Sequence, residues 1–203
     1  MIKRTVLILV LFTTIDFLYA QKLNHYYYEG VSKTKEGDYQ GALTAFTNAI
    51  VIEPNSAGMW VNRGTTKCKL NDYKGGIDDF SDAIRINPKF ALAYFNRAYA
   101  KDKLNDIKGA MDDLNQAIKF EPNYKEAYYN RGLLKLRQND FNNAIADFDK
   151  IIILKPTHGS AFLNRGIAKL NLLDLDGACA DWSKAGELGV EKAYMFIRRH
   201  CNN

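Results

Sequence analysis

The chain has 203 residues, 47% apolar and 25% charged, a balance that suits a folded soluble protein and excludes a disordered one. Its formal charge of +5, from 28 basic and 23 acidic residues, is too mild and too evenly spread for a nucleic-acid binder. Twelve Tyr, eleven Phe and two Trp supply large packing side chains, whereas the four prolines matter for where they stand.

The chain opens MIKRTVLILVLFTTIDFLYAQKLN. Lys3 and Arg4 form a short basic region, an apolar run follows from Val6 to Ile15, and Ala20 offers a small residue for a signal peptidase. Residues 1–20 therefore read as a cleaved secretory signal peptide. The rival reading is an uncleaved membrane anchor, but the unbroken apolar run stops at Asp16, short of the roughly 20 residues a spanning helix needs. No cysteine follows the run to carry a lipid. The remaining chain is expected to be secreted or periplasmic, without inserting into a membrane.

Pro54, Pro88, Pro122 and Pro156 recur every 34 residues, which is the signature of a stacked repeat array. Units are expected at 23–56, 57–90, 91–124, 125–158 and 159–190. In each, a first amphipathic helix carries an aromatic (Tyr26, Trp60, Tyr94, Tyr128, Phe162) followed four residues later by Gly or Ala (Gly30, Gly64, Ala98, Gly132, Gly166). The second helix carries a small residue (Ala42, Gly76, Ala110, Ala144, Ala178) and then a large one (Phe46, Phe80, Leu114, Phe148, Trp182). Small residues on both helices let the backbones approach. Glycine costs about 1 kcal/mol inside a helix, so its recurrence needs such a packing reason.

Gly37-Asp38, Asn71-Asp72, Asn105-Asp106 and Asn139-Asp140 stand between the two helices. Gly or Asn tolerates the left-handed conformation that closes a helix, and Asp caps the next one. The fifth unit has Leu173-Asp174, which keeps the cap and lacks the closing residue. Each proline then ends the second helix.

This succession of aromatic, small, small, aromatic and proline resembles the tetratricopeptide repeat (TPR), and the chain is similar to secreted bacterial members of that family. The resemblance spans about 23–190. It implies an all-α fold: a right-handed α-solenoid of five helix-turn-helix units whose first helices line a concave face. Residues 191–203 follow as a C-terminal capping helix. Glu191, Lys192, Arg198, Arg199 and His200 are expected on its solvent side, with Ala193, Tyr194, Phe196 and Ile197 covering the last unit. Such a cap is expected to complete the chain.

Arg63, Arg97, Arg131 and Arg165 each precede an aspartate by 16 residues, namely Asp79, Asp113, Asp147 and Asp181. The first unit has Glu29 and Ala45 in those places, so arginine and aspartate are present or absent together. That coupling favours a structural pair within each unit over a ladder of arginines for acidic ligands.

Asn62, Asn96, Asn130 and Asn164 have no such companion. They lie roughly 100° around the helix from the arginines, on the side that the resemblance makes the concave wall. As in peptide-binding members of the family, an asparagine column there implies hydrogen bonding to an extended peptide backbone. The bland alternative is an amide that fills a surface position. Tyr27, Phe95, Tyr99 and Tyr129 would flank the column as groove aromatics. The clamp that some members use for a terminal EEVD-like tail is disfavoured, because Tyr27, Val31 and Leu92 stand where its polar residues would be.

Lys35, Lys69, Lys103 and Arg137 end the first helices. They answer the helix dipole or form a basic rim for acidic partners. Cys179 and Cys201 lie near helix ends that an antiparallel return would bring together, which predicts a disulfide and leaves Cys68 free. The alternative is two separate buried thiols. Cys179, His200 and Cys201 lack a fourth ligand for zinc, and no catalytic motif is present, so neither a metal, a cofactor nor an enzyme is expected. The function implied is an exported protein–protein interaction scaffold holding an extended peptide or a partner helix in its groove. The alternatives are a structural subunit of an envelope or secretion assembly and an accessory regulator of an enzyme in trans.

Overall fold

The structure, a computed structural model, describes residues 2–201, with side chains from Leu18 onward. The expected leader therefore lies almost wholly outside the described side chains. Among the described residues no helix is long and apolar enough to cross a membrane. They form helices and no strand, and the chain divides into two compact units, residues 1–106 and 107–203.

In the first unit, α1 (Ile2–Glu36) and α2 (Tyr39–Ile52) form one pair, α3 (Ala57–Lys69) and α4 (Tyr73–Ile86) a second, and α5 (Ala91–Lys103) packs on α4. In the second unit, α6 (Ile107–Phe120) packs on α7 (Lys125–Arg137), which pairs with α8 (Phe141–Leu154). Then come α9 (Gly159–Asn171), α10 (Leu175–Glu187) and α11 (Lys192–His200), each packed on the helix before it. In both units every helix lies against its sequence neighbour, as short connections require.

The turns show why the helices stop where they do. Asn71, Asn105 and Asn139 adopt φ of 64°, 62° and 59°, and Gly37 82°. At the Asn71 turn the N–H of Asp72 donates to the carbonyl of Lys67 at 2.9 Å, the long-reach bond that satisfies a helix end. Asp38, Asp72 and Asp174 then accept from the N–H of Gly41, Gly75 and Gly177, each at 2.9 Å. Asp38 titrates below its ordinary range because Gly41 N–H and Lys33 both bond its carboxylate. Asp140 departs from the expected capping: its carboxylate accepts from the Asn143 side chain at 2.9 and 3.0 Å and caps no backbone N–H.

Leu173 takes the left-handed conformation too, at φ 65°, with the same bond from Asp174 N–H to the Lys169 carbonyl. The turn geometry is imposed by the helices on either side, and leucine bears the strain. Its side chain is 90% exposed and contributes little packing. Leu173→Gly is therefore expected to stabilise the chain by about 1 kcal/mol, because an L side chain in this region costs about 1–2 kcal/mol, partly offset by the greater freedom of unfolded glycine. The check is the midpoint of chemical denaturation, which must rise.

At the other end of each repeat the second helix stops two residues before the proline, at Ile52, Ile86, Phe120 and Leu154. Glu53, Asn87 and Lys155, each preceding a proline, leave the helical region at φ of −131°, −129° and −148°, as the proline ring demands. The aromatic of the next helix fastens this corner. Trp60 Nε1 donates to the Pro54 carbonyl at 2.8 Å, and the Tyr94 and Tyr128 hydroxyls donate to the Pro88 and Pro122 carbonyls at 3.2 and 3.3 Å. The sequence marked these aromatics as fillers; their polar tips also hold the chain reversal.

Small residues do seat the large ones. A Cβ on Gly64 would lie 2.8 Å from the Phe80 ring, and one on Gly166 would lie 2.5 Å from Trp182 Nε1. Phe80, Phe148 and Trp182 are buried at the centres of their clusters.

Candidate functional site

Three adjoining clefts run along the first-helix side of the first unit. One, of about 360 Å³, lies between Tyr27, Met59, Val61, Asn62, Phe90 and Leu92. The next, of about 240 Å³, is bounded by Val31, Lys35, Asn62, Thr65 and Lys69, with Phe46 at its base. The third, of about 210 Å³, lies between Thr65, Cys68, Lys69, Phe95, Asn96 and Tyr99. Asn62 borders the first two, and Thr65 and Lys69 border the last two, so the clefts form one continuous groove across α1, α3 and α5. Helical periodicity places these residues on one side of each helix, and the repeat puts Asn62 and Asn96 at equal heights.

The asparagines differ in what they already hold. Among the described residues the Asn62 and Asn130 amides have no hydrogen-bond partner in the fold, although both are half-buried. Asn96 Nδ2 reaches Thr65 Oγ1 at a long 3.4 Å. Asn164 Nδ2 donates to the Tyr129 hydroxyl at 3.0 Å, so in the second unit one column member is committed to a groove aromatic. Tyr129 in turn lies edge-on to Phe148, with ring centroids 6.1 Å apart. Tyr99 is 45% exposed, and Lys103 Nζ sits 5.3 Å from its ring centroid. Val61 and Cys68 are buried and form the groove floor rather than its open wall. Burial pushes the Cys68 thiol up to about 11, which keeps it protonated and unreactive at neutral pH.

Arg63, Arg131 and Arg165 point into the seam with the second helix of their own repeat. Arg63 Nε and Nη2 bond Asp79 at 2.9 and 2.8 Å; Arg131 bonds Asp147 at 2.9 and 2.5 Å; Arg165 bonds Asp181 at 2.8 and 2.5 Å. A lysine one turn on completes each site, since Lys67, Lys135 and Lys169 reach the same three carboxylates at 2.9, 2.8 and 2.9 Å. The remaining guanidinium nitrogen points back to the preceding second helix: Arg97 to Ser81 at 3.0 Å, Arg131 to Asn115 at 2.8 Å and Arg165 to Asp149 at 2.6 Å. Each guanidinium also lies over the first-helix aromatic, with Arg63 4.7 Å from the Trp60 ring centroid.

The repeat geometry is matched by two family models, "TPR repeat" over residues 103–139 and "Tetratricopeptide repeat" over residues 126–158. Residues 103–158 are tetratricopeptide repeats, and the paired helices of the chain have the TPR fold. No curated protein matches it in sequence. Among solved structures it is similar to MamA, at 25% identity over 86% of this chain and 96% of that one, with a TM-score of 0.75. It is also similar to YrrB, described as a TPR protein with an unusual peptide-binding site, at 19% identity over 86% and 90%, TM-score 0.71. A third is the first TPR of Spaghetti bound to the HSP90 peptide SRMEEVD, at 23% identity over 58% and 94%, TM-score 0.56. The TPR fold is in general a protein–protein interaction scaffold rather than a catalyst.

Within the TPR array the sequence already separated the two members of the Asn-Arg pair, one toward the groove and one toward the seam. It did not show the lysine that joins each Arg–Asp site, although lysine recurs with the repeat four residues after each arginine. The basic rim divides as well. Lys35 and Lys69 border the middle cleft, Lys103 stands over Tyr99, and Arg137 belongs to the second unit.

At the C-terminal end of the TPR array, Cys179 and Cys201 are bonded, with S–S 2.05 Å and Cα atoms 5.8 Å apart. The bridge spans 22 residues and contributes about 3 kcal/mol in the loop-entropy account. The cap it ties down departs in two places from the expected division. His200 lies inward, 5.7 Å from the Trp182 ring, while Tyr194 is 51% exposed because only its ring edge reaches Gly186.

Proposed function

We propose that the chain is an exported scaffold that holds an extended peptide along the groove formed by α1, α3 and α5. The carrying observation is the half-buried Asn62 amide, uncommitted in the fold, at the junction of two clefts. A side-chain amide offers one acceptor and two donors, enough to pair with a peptide unit regardless of the side chains attached to it. The apolar surfaces of Tyr27, Leu92, Phe95 and Tyr99 beside it supply contact area. Peptide binding by YrrB and by the Spaghetti TPR supports the same use of this fold. Asn130 and the Tyr129–Asn164 pair are the corresponding positions in the second unit. Export is supported by the basic and apolar leader pattern, and a Cys179–Cys201 bridge suits an oxidising compartment.

The test uses peptides selected from a displayed random 12-residue library on the purified chain. Replacing Asn62 and Asn96 together with alanine is expected to weaken those peptides about tenfold or more, the effect of losing one to two hydrogen bonds of roughly 1 kcal/mol each. The melting temperature should change little, since Asn62 makes no bond within the fold and Asn96 makes only the long one to Thr65. Undiminished binding by the doubly substituted chain would sink the groove reading.

A further inference from the structure

The middle cleft has a chemistry of its own. We infer that it receives an acidic side chain, Asp or Glu, of the bound polypeptide, clasped between Lys35 of α1 and Lys69 of α3; this rests on the groove reading above. The two lysines hold equivalent positions in successive repeats and both border the 240 Å³ cleft. Among the described residues neither makes a hydrogen bond or ion pair within the protein.

That is unlike their neighbours on the same helices. Lys33 is held by Asp38 at 2.9 Å and Lys67 by Asp79 at 2.9 Å. The fold thus neutralises the lysines that face the seam and leaves the two that face the groove. Among the described residues no carboxylate borders any of the three clefts, although the chain carries 23 acidic residues. Two ammonium groups around one small cleft repel each other until an anion enters. An entering carboxylate can take charge-assisted bonds from both lysines and a further bond from the Asn62 amide. The Thr34 and Thr66 hydroxyls already donate to the carbonyls of Gly30 and Asn62 at 2.7 and 2.8 Å, so recognition falls to the lysines, Asn62 and the Thr65 hydroxyl.

The adjoining cleft sets the neighbouring preference. It shares Thr65 and Lys69 with the middle one and is otherwise bordered mainly by Cys68, Phe80, Phe95 and Tyr99. In an extended chain residues two apart face the same way. An acidic residue with an apolar one two positions away therefore matches both clefts.

The library selection decides this, followed by anisotropy measurements with amidated synthetic peptides, which carry no terminal carboxylate. Selected peptides should share an Asp or Glu with an apolar residue two positions away. Its replacement by the neutral amide should weaken binding about tenfold, and raising NaCl from about 50 to about 500 mM should weaken only the acidic form. Selection on the chain carrying Lys35→Gln and Lys69→Gln should lose the acidic position while still yielding binders. Acidic preference that persists in that variant overturns the inference. So does a wild-type selection without any acidic position; if those peptides still depend on Asn62, the groove reading stands and only the acidic pocket falls. Failure to select any peptide overturns both. Lys35 and Lys69 are exposed and end their helices, so the variant should keep its fold, which its melting curve verifies.

Discussion

Trp182→Ala is expected to lower the stability of the C-terminal unit by about 3–5 kcal/mol, the range for removing a large aromatic from a packed core. Trp182 is 0% exposed. Its indole fills the space that Gly166 leaves, its Nε1 donates to the Leu163 carbonyl at 3.2 Å, and its face stacks on Phe196 at 5.0 Å. It is the surface on which the cap α11 sits. The cap would remain tethered through the Cys179–Cys201 bridge, so the loss should grow further when the bridge is reduced. Trp182→Phe keeps a ring and loses mainly the hydrogen bond, which predicts a smaller loss of roughly 1 kcal/mol plus a modest cavity term. Urea denaturation followed by circular dichroism measures both variants. A midpoint for Trp182→Ala within error of the parent would mean that the cap contributes nothing to the unit beneath it.

How far such an effect was legible from the sequence depends on whether a feature repeats as a residue type. The Gly-then-aromatic pairing behind the Trp182 site does, because a steric fit needs particular sizes at particular heights. The Arg–Asp pair does too, since bidentate geometry admits few substitutes. The acceptors that Arg97, Arg131 and Arg165 find on the preceding second helix are a hydroxyl, an amide and a carboxylate. These share an oxygen and no residue identity, so no column announces them. Leu173 shows the opposite failure: the residue changes while the backbone conformation persists, because the flanking helices dictate it.

Within the candidate site the sequence placed the asparagines on one side of the first helices but could not grade them. Whether an amide is committed depends on distances between helices of different repeats. Asn164 bonds the Tyr129 hydroxyl 35 residues before it, whereas Asn62 makes no such bond to Tyr27, which stands at the same offset. Likewise Lys35 and Lys69 could be read as helix-end cations or as a basic rim until their lack of internal partners was seen beside the committed Lys33 and Lys67. The groove is therefore defined by which polar groups the fold leaves unused, and that is a property of packing.

The adjacent residues Asn130 and Arg131 offer the sharpest contrast between the two kinds of position. Arg131→Ala is expected to destabilise the second unit by about 3 kcal/mol, near the lower end of the cost of stripping one partner from a buried ion pair. Asp147 is 2% exposed and receives two bonds from Arg131 and one from Lys135, so the substitution leaves a buried carboxylate with a single cation. The retained lysine is what keeps the loss from being larger. Arg131→Ala also releases Asn115 and uncovers the Tyr128 ring, 5.3 Å from the guanidinium carbon. Arg131→Lys should recover only part of the loss, because an ammonium cannot bond Asp147 through two nitrogens and reach Asn115 as well. Asn130→Ala, one residue away, should change stability by less than about 0.5 kcal/mol, since the amide bonds nothing in the fold. Paired denaturation curves test this, with a double cycle over Lys135 to separate its share. Equal losses from Asn130 and Arg131 would refute the division of the pair into a groove residue and a seam residue.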